Sequence, residues 1–460
     1  MQRRKSHKGK IIMAAILVAA IALGAGSGVL AAMLAKGGGG RGGTVVSSSG
    51  SLGGQSSLPP TSQSSLLPTD GSLDGITPRA YAALPLPEEL RAMWVSFLEW
   101  ERMDLSSETA ARAEMVAIME NCVALGLNTV IAHVRPIGDA FYKSSLFPYS
   151  HLITGAQGQD PGYDPLAVMI EEAHARGLRL EAWVNPYRAK HGVIGPETLS
   201  ANNPASLHPD WVHEVGGYLW YDPGLPEVQA MILQDAVEIV QNYDVDGLHI
   251  DDYFYPEFGG DTAADAAFDA ATFAQYGGSM GLAEWRRGNV DRMVAQCYAA
   301  VKAANPTASF GVSVQGNNEN NYNMMYADVR GWMAAEGFCD YVMPQLYWGF
   351  AYRDRNGKDT AAFANKLREW GSYIRLPSVY LYAGLAAHNI GSGDNGYGDQ
   401  AEWSSGRNLA DMVAALRESG SFTGFALFRY DFLYGPQPPE KAPDEVAALQ
   451  EVLQGSADAG

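Results

Sequence analysis

From Arg91 onward the sequence alternates eight times between a short β-type run and a helical one, and few architectures can be built on that rhythm. The strand candidates are RAMWVSFL (91–98), LNTVIAHVRP (127–136), LRLEAWVNPY (178–187), DGLHIDDY (246–253), ASFGVSVQGN (308–317), DYVMPQLYW (340–348), SVYLYAGLAA (378–387) and FTGFALFRYD (422–431). Apolar spacing near 3.6 residues predicts helices over 108–125, 164–176, 226–243, 283–304, 327–336, 361–371, 408–418 and 442–454. Gly126 and Gly177 each stand between a helix and the next strand, where a left-handed cap is expected. Strands alternating with helices form parallel sheets. Eight units predict an α/β fold, a (β/α)8 TIM barrel with long βα loops; an open doubly wound sheet is the structural alternative.

In a barrel, alternate strand residues face the interior. Leu248 and Ile250 suit the helix side of the fourth strand, which turns His249 and Asp251 inward. The same parity turns His133 and Arg135 inward on the second strand, and Glu181, Trp183 and Asn185 on the third. It selects Ser313 and Gln315 on the fifth, and Tyr341, Met343, Gln345 and Tyr347 on the sixth. Barrel interiors are mostly branched and apolar, so polar residues of consistent parity point to a site. Asp251 falls where the fourth strand ends, at the carboxyl face on which such barrels carry their chemistry. Asp252, of opposite parity, caps the following loop or leans over the rim, and Tyr253, Phe254 and Tyr255 extend from it as aromatic faces.

The neighbouring strand exits add Arg135, Asp139, Tyr142 and Tyr149; Asn185, Tyr187 and Arg188; and Gln345, Tyr347 and Trp348. Aromatic planes interleaved with paired donors and acceptors suit sugar rings, which offer C–H faces and hydroxyls. The plainer readings are that Asp251 forms an ion pair with Arg135, that Asp252 bonds its own loop, and that several aromatics pack loops together. His133 and His249 read as interior imidazoles bonded to a neighbour. With Glu181 they could ligate a metal, but no HxH or HExxH spacing supports it, and neither metal nor cofactor is expected.

Outside the barrel, residues 1–10 are basic and 11–35 run without a charge, long enough to cross a bilayer and long for a cleaved signal. The basic flank predicts a single-pass anchor with the remainder outside the cytoplasm; secretion after cleavage is the alternative. Residues 36–78, rich in Gly and Ser, read as a flexible tether, and 79–456 as the barrel domain. A formal charge of −19 argues against nucleic acid and leaves the N-terminal segment as the sole membrane contact expected. Cys122, Cys297 and Cys339 are scattered and read as core residues.

The runs GLNTVIAHVRPIGDAFY, GYDPLAVMIEEAHARGLRLEAWVNPYR, YDVDGLHIDDYFYP and DYVMPQLYWG resemble the bacterial glycosyl-hydrolase-like family 10, in order, across roughly 91–432. The resemblance implies a (β/α)8 barrel and an extracytoplasmic glycan hydrolase. One relative is a divisome-associated lipoprotein that cleaves peptidoglycan strands stripped of their peptides. It implicates Arg135, Asp139, Asn185, Tyr187, Arg188, Asp251, Asp252, Gln345 and Tyr347. The sequence departs at His133, where relatives often carry Gln, and at Glu181, where His is common.

Glycoside hydrolysis ordinarily needs two carboxyl groups. Asp251 is expected as nucleophile or base, kept ionised by Arg135, with Asp252, Asp139 or Glu257 as the acid, in that order. Two further readings compete. One is a non-catalytic carbohydrate-binding barrel; the other is a metal-dependent hydrolase or deacetylase using His133, Glu181 and His249.

Overall fold

The structure is a computed structural model and describes residues 73, 75–397 and 401–454. The predicted anchor (11–35), its basic flank (1–10) and most of the tether (36–78) lie outside the described residues. Among those described, no helix is long and apolar enough to cross a membrane. Among the described residues, those before Phe258 together with those after Asp265 make up one compact unit.

The eight predicted strands form a closed parallel barrel: β1 Leu90–Val95, β2 Thr129–Arg135, β3 Arg179–Val184, β4 Gly247–Ile250, β5 Ser309–Gln315 and β6 Tyr341–Gln345. β7 is interrupted at Tyr382, running as Tyr380–Leu381 and Ala383–Ala386, and β8 is Gly424–Phe428. β8 pairs with β1 and β5 with β6, so no edge is left open. The open-sheet alternative is excluded by that closure.

Local chemistry explains the boundaries. β1 stops at Val95, short of the predicted 98. Ser96 and Glu99 form a reciprocal capping box there, which starts the short helix Phe97–Arg102. Helix Glu108–Leu125 begins on Ser107, whose hydroxyl accepts from the Ala110 N–H. It ends at Gly126 with φ 87°, the left-handed geometry a glycine adopts without cost. Asp164 caps, and Pro165 opens, helix Pro165–His174.

The interior is packed by Leu90, Ala92, Trp94, Ile131, Trp183, Tyr341, Met343, Tyr382 and Ala426. Gly311 makes room for the largest of the β6 side chains, since a Cβ there would fall 1.8 Å from the Tyr341 ring. Polar interior residues are joined in a chain. Glu181 accepts from Arg179 (2.9 Å), Ser309 (2.9 Å) and the Tyr341 hydroxyl. Tyr341 meets His249 Nδ1 at 2.7 Å, and Trp94 Nε1 donates to His249 Nε2 at 3.4 Å. Every residue of this hydrogen-bonded chain has at least one partner, which is how a barrel floor tolerates polarity.

One excursion departs from the simple alternation. Between β3 and helix Pro226–Asn242 the chain builds a separate antiparallel sheet from Arg188–Lys190, Val212–Val215 and Tyr218–Tyr221. It belongs to the mouth of the barrel and shapes the site.

Candidate active site at the carboxyl ends of the strands

Asp251 follows the last residue of β4 with the inward parity of His249, and is 2% exposed. Its Oδ2 accepts from Trp183 Nε1 at 2.9 Å; its buried Oδ1 has no protein partner. Burial, and then repulsion from Asp252, push the carboxyl up to about 7 against the opposing pull of Arg188. Asp252 points toward β5 and β6. It accepts from Gln345 Nε2 at 2.9 Å, and the same nitrogen lies 3.1 Å from Ser313 Oγ. Burial raises Asp252 also, while hydrogen bonds from Gln345 and Gln315 work the other way. Adjacent in sequence, the two carboxyls therefore lean toward opposite walls, one held by an indole and the other by amides.

Arg188 supplies the cation. It opens the first strand of the antiparallel excursion after an Asx turn in which Asn185 Oδ1 accepts the Arg188 N–H at 3.1 Å. Its guanidinium is 3.9 Å from the Tyr253 ring centroid, 5.5 Å from Trp220 and 5.8 Å from Tyr218. On the opposite side Tyr347 stacks on Phe428 at 5.7 Å and meets the edge of His388 at 5.0 Å. Trp348 lies beside Tyr352 and over Gly316, where any Cβ would fall 2.6 Å from the indole. Glu257 stands exposed at the rim. Partial desolvation of its carboxyl, then repulsion from Asp252, raise it to about 6 against a hydrogen bond from Gln315.

Several expectations need correction. Arg135 does not face Asp251. A β-bulge pairs His133 with Trp183 and Arg135 with Val184, skipping Val134 and reversing the parity of the strand's last residue. Arg135 Nε instead bonds Asp235 of helix Pro226–Asn242 at 2.6 Å, and the guanidinium covers Phe147 at 4.7 Å. Tyr142 donates to the same carboxylate. Asp139 is fully buried, accepting from Gln157 Nε2 (2.8 Å) and bonded to His151 Nδ1 (3.2 Å); it braces the β2 loop. Tyr187 is fully buried near Cys297 and Asp222, and burial holds its hydroxyl well above the usual range. Phe254 packs on Trp332, and Tyr255 on Tyr326 and Arg286, leaving Tyr253 as the one ring of the three that reaches the site. His133 stacks on Trp183 at 3.6 Å with neither ring nitrogen bonded, and burial, then Arg188 and Arg135, drive it well below the usual imidazole range. With Glu181 spoken for by Arg179, Ser309 and Tyr341, the three supposed ligands do not converge. Among the described residues no group of three His, Cys, Asp or Glu is arranged to hold a metal.

The profile of the family described as Glycosyl hydrolase-like 10 matches residues 89–405. The chain belongs to this family. It is 38% identical over 322 residues to glycosyl hydrolase YngK of Bacillus subtilis (strain 168), an alignment covering 66% of this chain and 61% of that protein. To glycosyl hydrolase DigH of Escherichia coli (strain K12) it is 33% identical over 387 residues, 76% of this chain and 85% of the relative. The chain thus spans about three fifths of the first relative's length. Among solved structures it is similar to a β-galactosidase from the psychrophilic Marinomonas ef1 at TM-score 0.52 and 10% identity, covering 81% of this chain and 60% of that one. That is a likeness of fold alone.

Within this family-10 barrel the sequence reading missed two contributors, Trp220 and Tyr218. Both lie on the excursion, and their alternation in YLWYDPG was a strand signal outside the eight-fold count. Trp183 was seen to point inward, but nothing in sequence marked its indole as the partner of Asp251. His133 sits beneath the site and Glu181 in the floor chain.

Proposed function

We propose that this protein is a glycoside hydrolase that cleaves a polysaccharide, with Asp251 and Asp252 as the working carboxyls. The observation that carries this reading is a pair of buried carboxyls at the mouth of a closed barrel, one of them raised to about 7. A carboxyl poised near neutrality can hold a proton and deliver it to a leaving oxygen. The roles are therefore the reverse of those expected from sequence: Asp251 donates the proton, and Asp252, held toward its ionised form by two glutamine amides, is the anion. Arg188, Tyr253 and Trp220 on one side, and Tyr347, Trp348 and Gln345 on the other, form the sugar-binding walls. Arg135, Asp139 and Tyr187 support the loops from behind, and Asn185 sets the turn that presents Arg188.

The finer reading is a cell-wall substrate, peptide-free peptidoglycan strands, met outside the cytoplasm by a domain tethered through 11–35. The family resemblance and the uncharged N-terminal run support it. The deciding experiment incubates the domain with denuded strands and a panel of neutral polysaccharides. Wild type is expected to release soluble fragments, and Asp251→Asn to lose about 10²–10⁴-fold in rate while retaining glycan binding. Binding without cleavage by wild type would favour the carbohydrate-binding barrel instead.

A further inference from the structure

A barrel glycosidase with an enzymic nucleophile sets two carboxyls against each other across the scissile bond, roughly 5–5.5 Å apart for retention and 6.5–9.5 Å for inversion with an intervening water. Asp251 and Asp252 are consecutive residues at the end of one strand. They rise from one side of the mouth and then diverge, Asp251 toward Trp183 of β3 and Asp252 toward Gln345 of β6. The last residues of the four following strands supply no opposing carboxyl. β5 and β6 end in Gln315 and Gln345, β7 in Ala386 and β8 in Phe428. Three buried or half-buried carboxylates of the adjoining loops, Glu99, Asp431 and Asp139, are already engaged. Glu99 accepts from Ser96 Oγ at 2.6 Å and pairs with Arg429. Asp431 pairs with Arg102 at 2.8 Å, and Asp139 is bonded to His151 and Gln157. Glu257 belongs to the same β4 exit as the pair, close enough to Asp252 for the two charges to repel, and is bonded by Gln315.

We infer that the nucleophile is supplied by the substrate: the saccharide carries a 2-acetamido group whose carbonyl oxygen attacks the anomeric carbon, with Asp252 holding the acetamido N–H and Asp251 protonating the leaving oxygen. The inference rests on the glycoside hydrolase reading and deepens it. In the first step the carbonyl oxygen forms a bond to C1 as the glycosidic C1–O bond breaks. The Asp251 proton passes to the leaving oxygen, and the amide proton passes to Asp252, leaving a neutral oxazoline. In the second step water attacks C1, giving one proton to the Asp251 carboxylate, while the oxazoline C1–O bond breaks and Asp252 returns its proton to nitrogen. Only water is consumed, and the anomeric configuration is retained. The geometry suits both halves. Asp252 is the carboxyl given two amide donors, so a third N–H from substrate completes an acceptor already organised for such bonds. Asp251 has one oxygen fixed by the indole and the other free for the leaving group. Tyr347, whose hydroxyl is raised by burial and then by its neighbours Asp252, Tyr253 and Asp251, offers its ring to the acetyl methyl.

The test uses one polymer in three forms: strands of 2-acetamido sugars intact, de-N-acetylated, and re-N-acetylated. Intact and re-acetylated strands are expected to be cleaved and the de-acetylated form at least 100-fold more slowly. The new reducing ends should appear by proton NMR with retained configuration, and a thiazoline analogue of the acetamido sugar should inhibit competitively. Asp252→Asn should lower kcat with little change in KM, and Glu257→Gln should leave turnover within about twofold. Inverted product, a covalent glycosyl-enzyme trapped by a 2-fluoro sugar, or loss of turnover in Glu257→Gln would overturn the inference. Equal cleavage of a polysaccharide without acetamido groups would overturn it and leave the hydrolase reading intact. Cleavage of nothing in the panel would overturn both.

Discussion

At the scale of single residues, the site is defined by how differently two neighbouring aspartates are housed. Asp251 has the Trp183 indole as its side-chain donor and almost no solvent; Asp252 has two side-chain amides, and Arg188 pulls on both. Ionising a buried carboxyl costs free energy, so a group with folded pKa near 7 and unfolded value near 3.8 contributes stability below pH 4 that is lost as pH rises through 7. Asp251→Asn keeps an acceptor for Trp183 and removes that cost. The variant should therefore be more stable than wild type at pH 8, by about 2–4 kcal/mol, and equal to it near pH 4, as read by thermal unfolding at the two pH values. A lower Tm for the variant at pH 8 would mean that Asp251 is ionised and well solvated. The same residue sets the activity limb: kcat/KM should fall as pH rises through about 7, where the proton donor is lost.

At the scale of elements, the bulge in β2 decides more than any single side chain. By skipping Val134 it sends Arg135 away from the cavity to clamp helix Pro226–Asn242 through Asp235, with Tyr142 on the same carboxylate. Removing one member of a buried pair strands the other, so Arg135→Met should destabilise the fold by about 3–5 kcal/mol in denaturant unfolding. KM of the folded fraction should stay the same, and a second change, Asp235→Leu, should restore much of the stability. A raised KM with an unchanged midpoint would return Arg135 to the substrate site. The antiparallel excursion is the other deciding element. It carries Arg188 and Trp220 to the mouth on a sheet of its own, so the site has one wall built by barrel strands and one by an insertion.

At the scale of the whole molecule, a closed eight-stranded barrel presents its chemistry at one end, and the proposed anchor precedes it by a Gly- and Ser-rich stretch. If residues 11–35 hold the chain to a membrane, the full-length protein should sediment with membranes, and a chain starting at residue 79 should remain in the supernatant with the same glycan activity and the same Tm. Sedimentation of both forms, or of neither, would remove the anchor from the account.

The rhythm of strands and helices was legible in the sequence because periodicity is local. Apolar spacing, Ser107, Asp164, Pro165 and Gly126 act within a few residues of themselves, and the helix ranges read from them agree with the structure to within two residues or so. Alternation likewise identified the inward faces of β3 to β6, and with them Asp251, Gln345 and Tyr347. Parity failed at Arg135 because a bulge is a property of two strands in register, invisible in either alone. Which aromatics reach the rim also depended on distant partners: Tyr253 meets Arg188, while Tyr255 is covered by Tyr326 and Arg286 from other loops. Composition and order thus determined the barrel and the place of its carboxyls, whereas their protonation and partners came from tertiary burial. A carboxyl's pKa is set by what surrounds it in space, and Trp183, Arg188 and Gln345 are brought beside the aspartates only when the barrel closes.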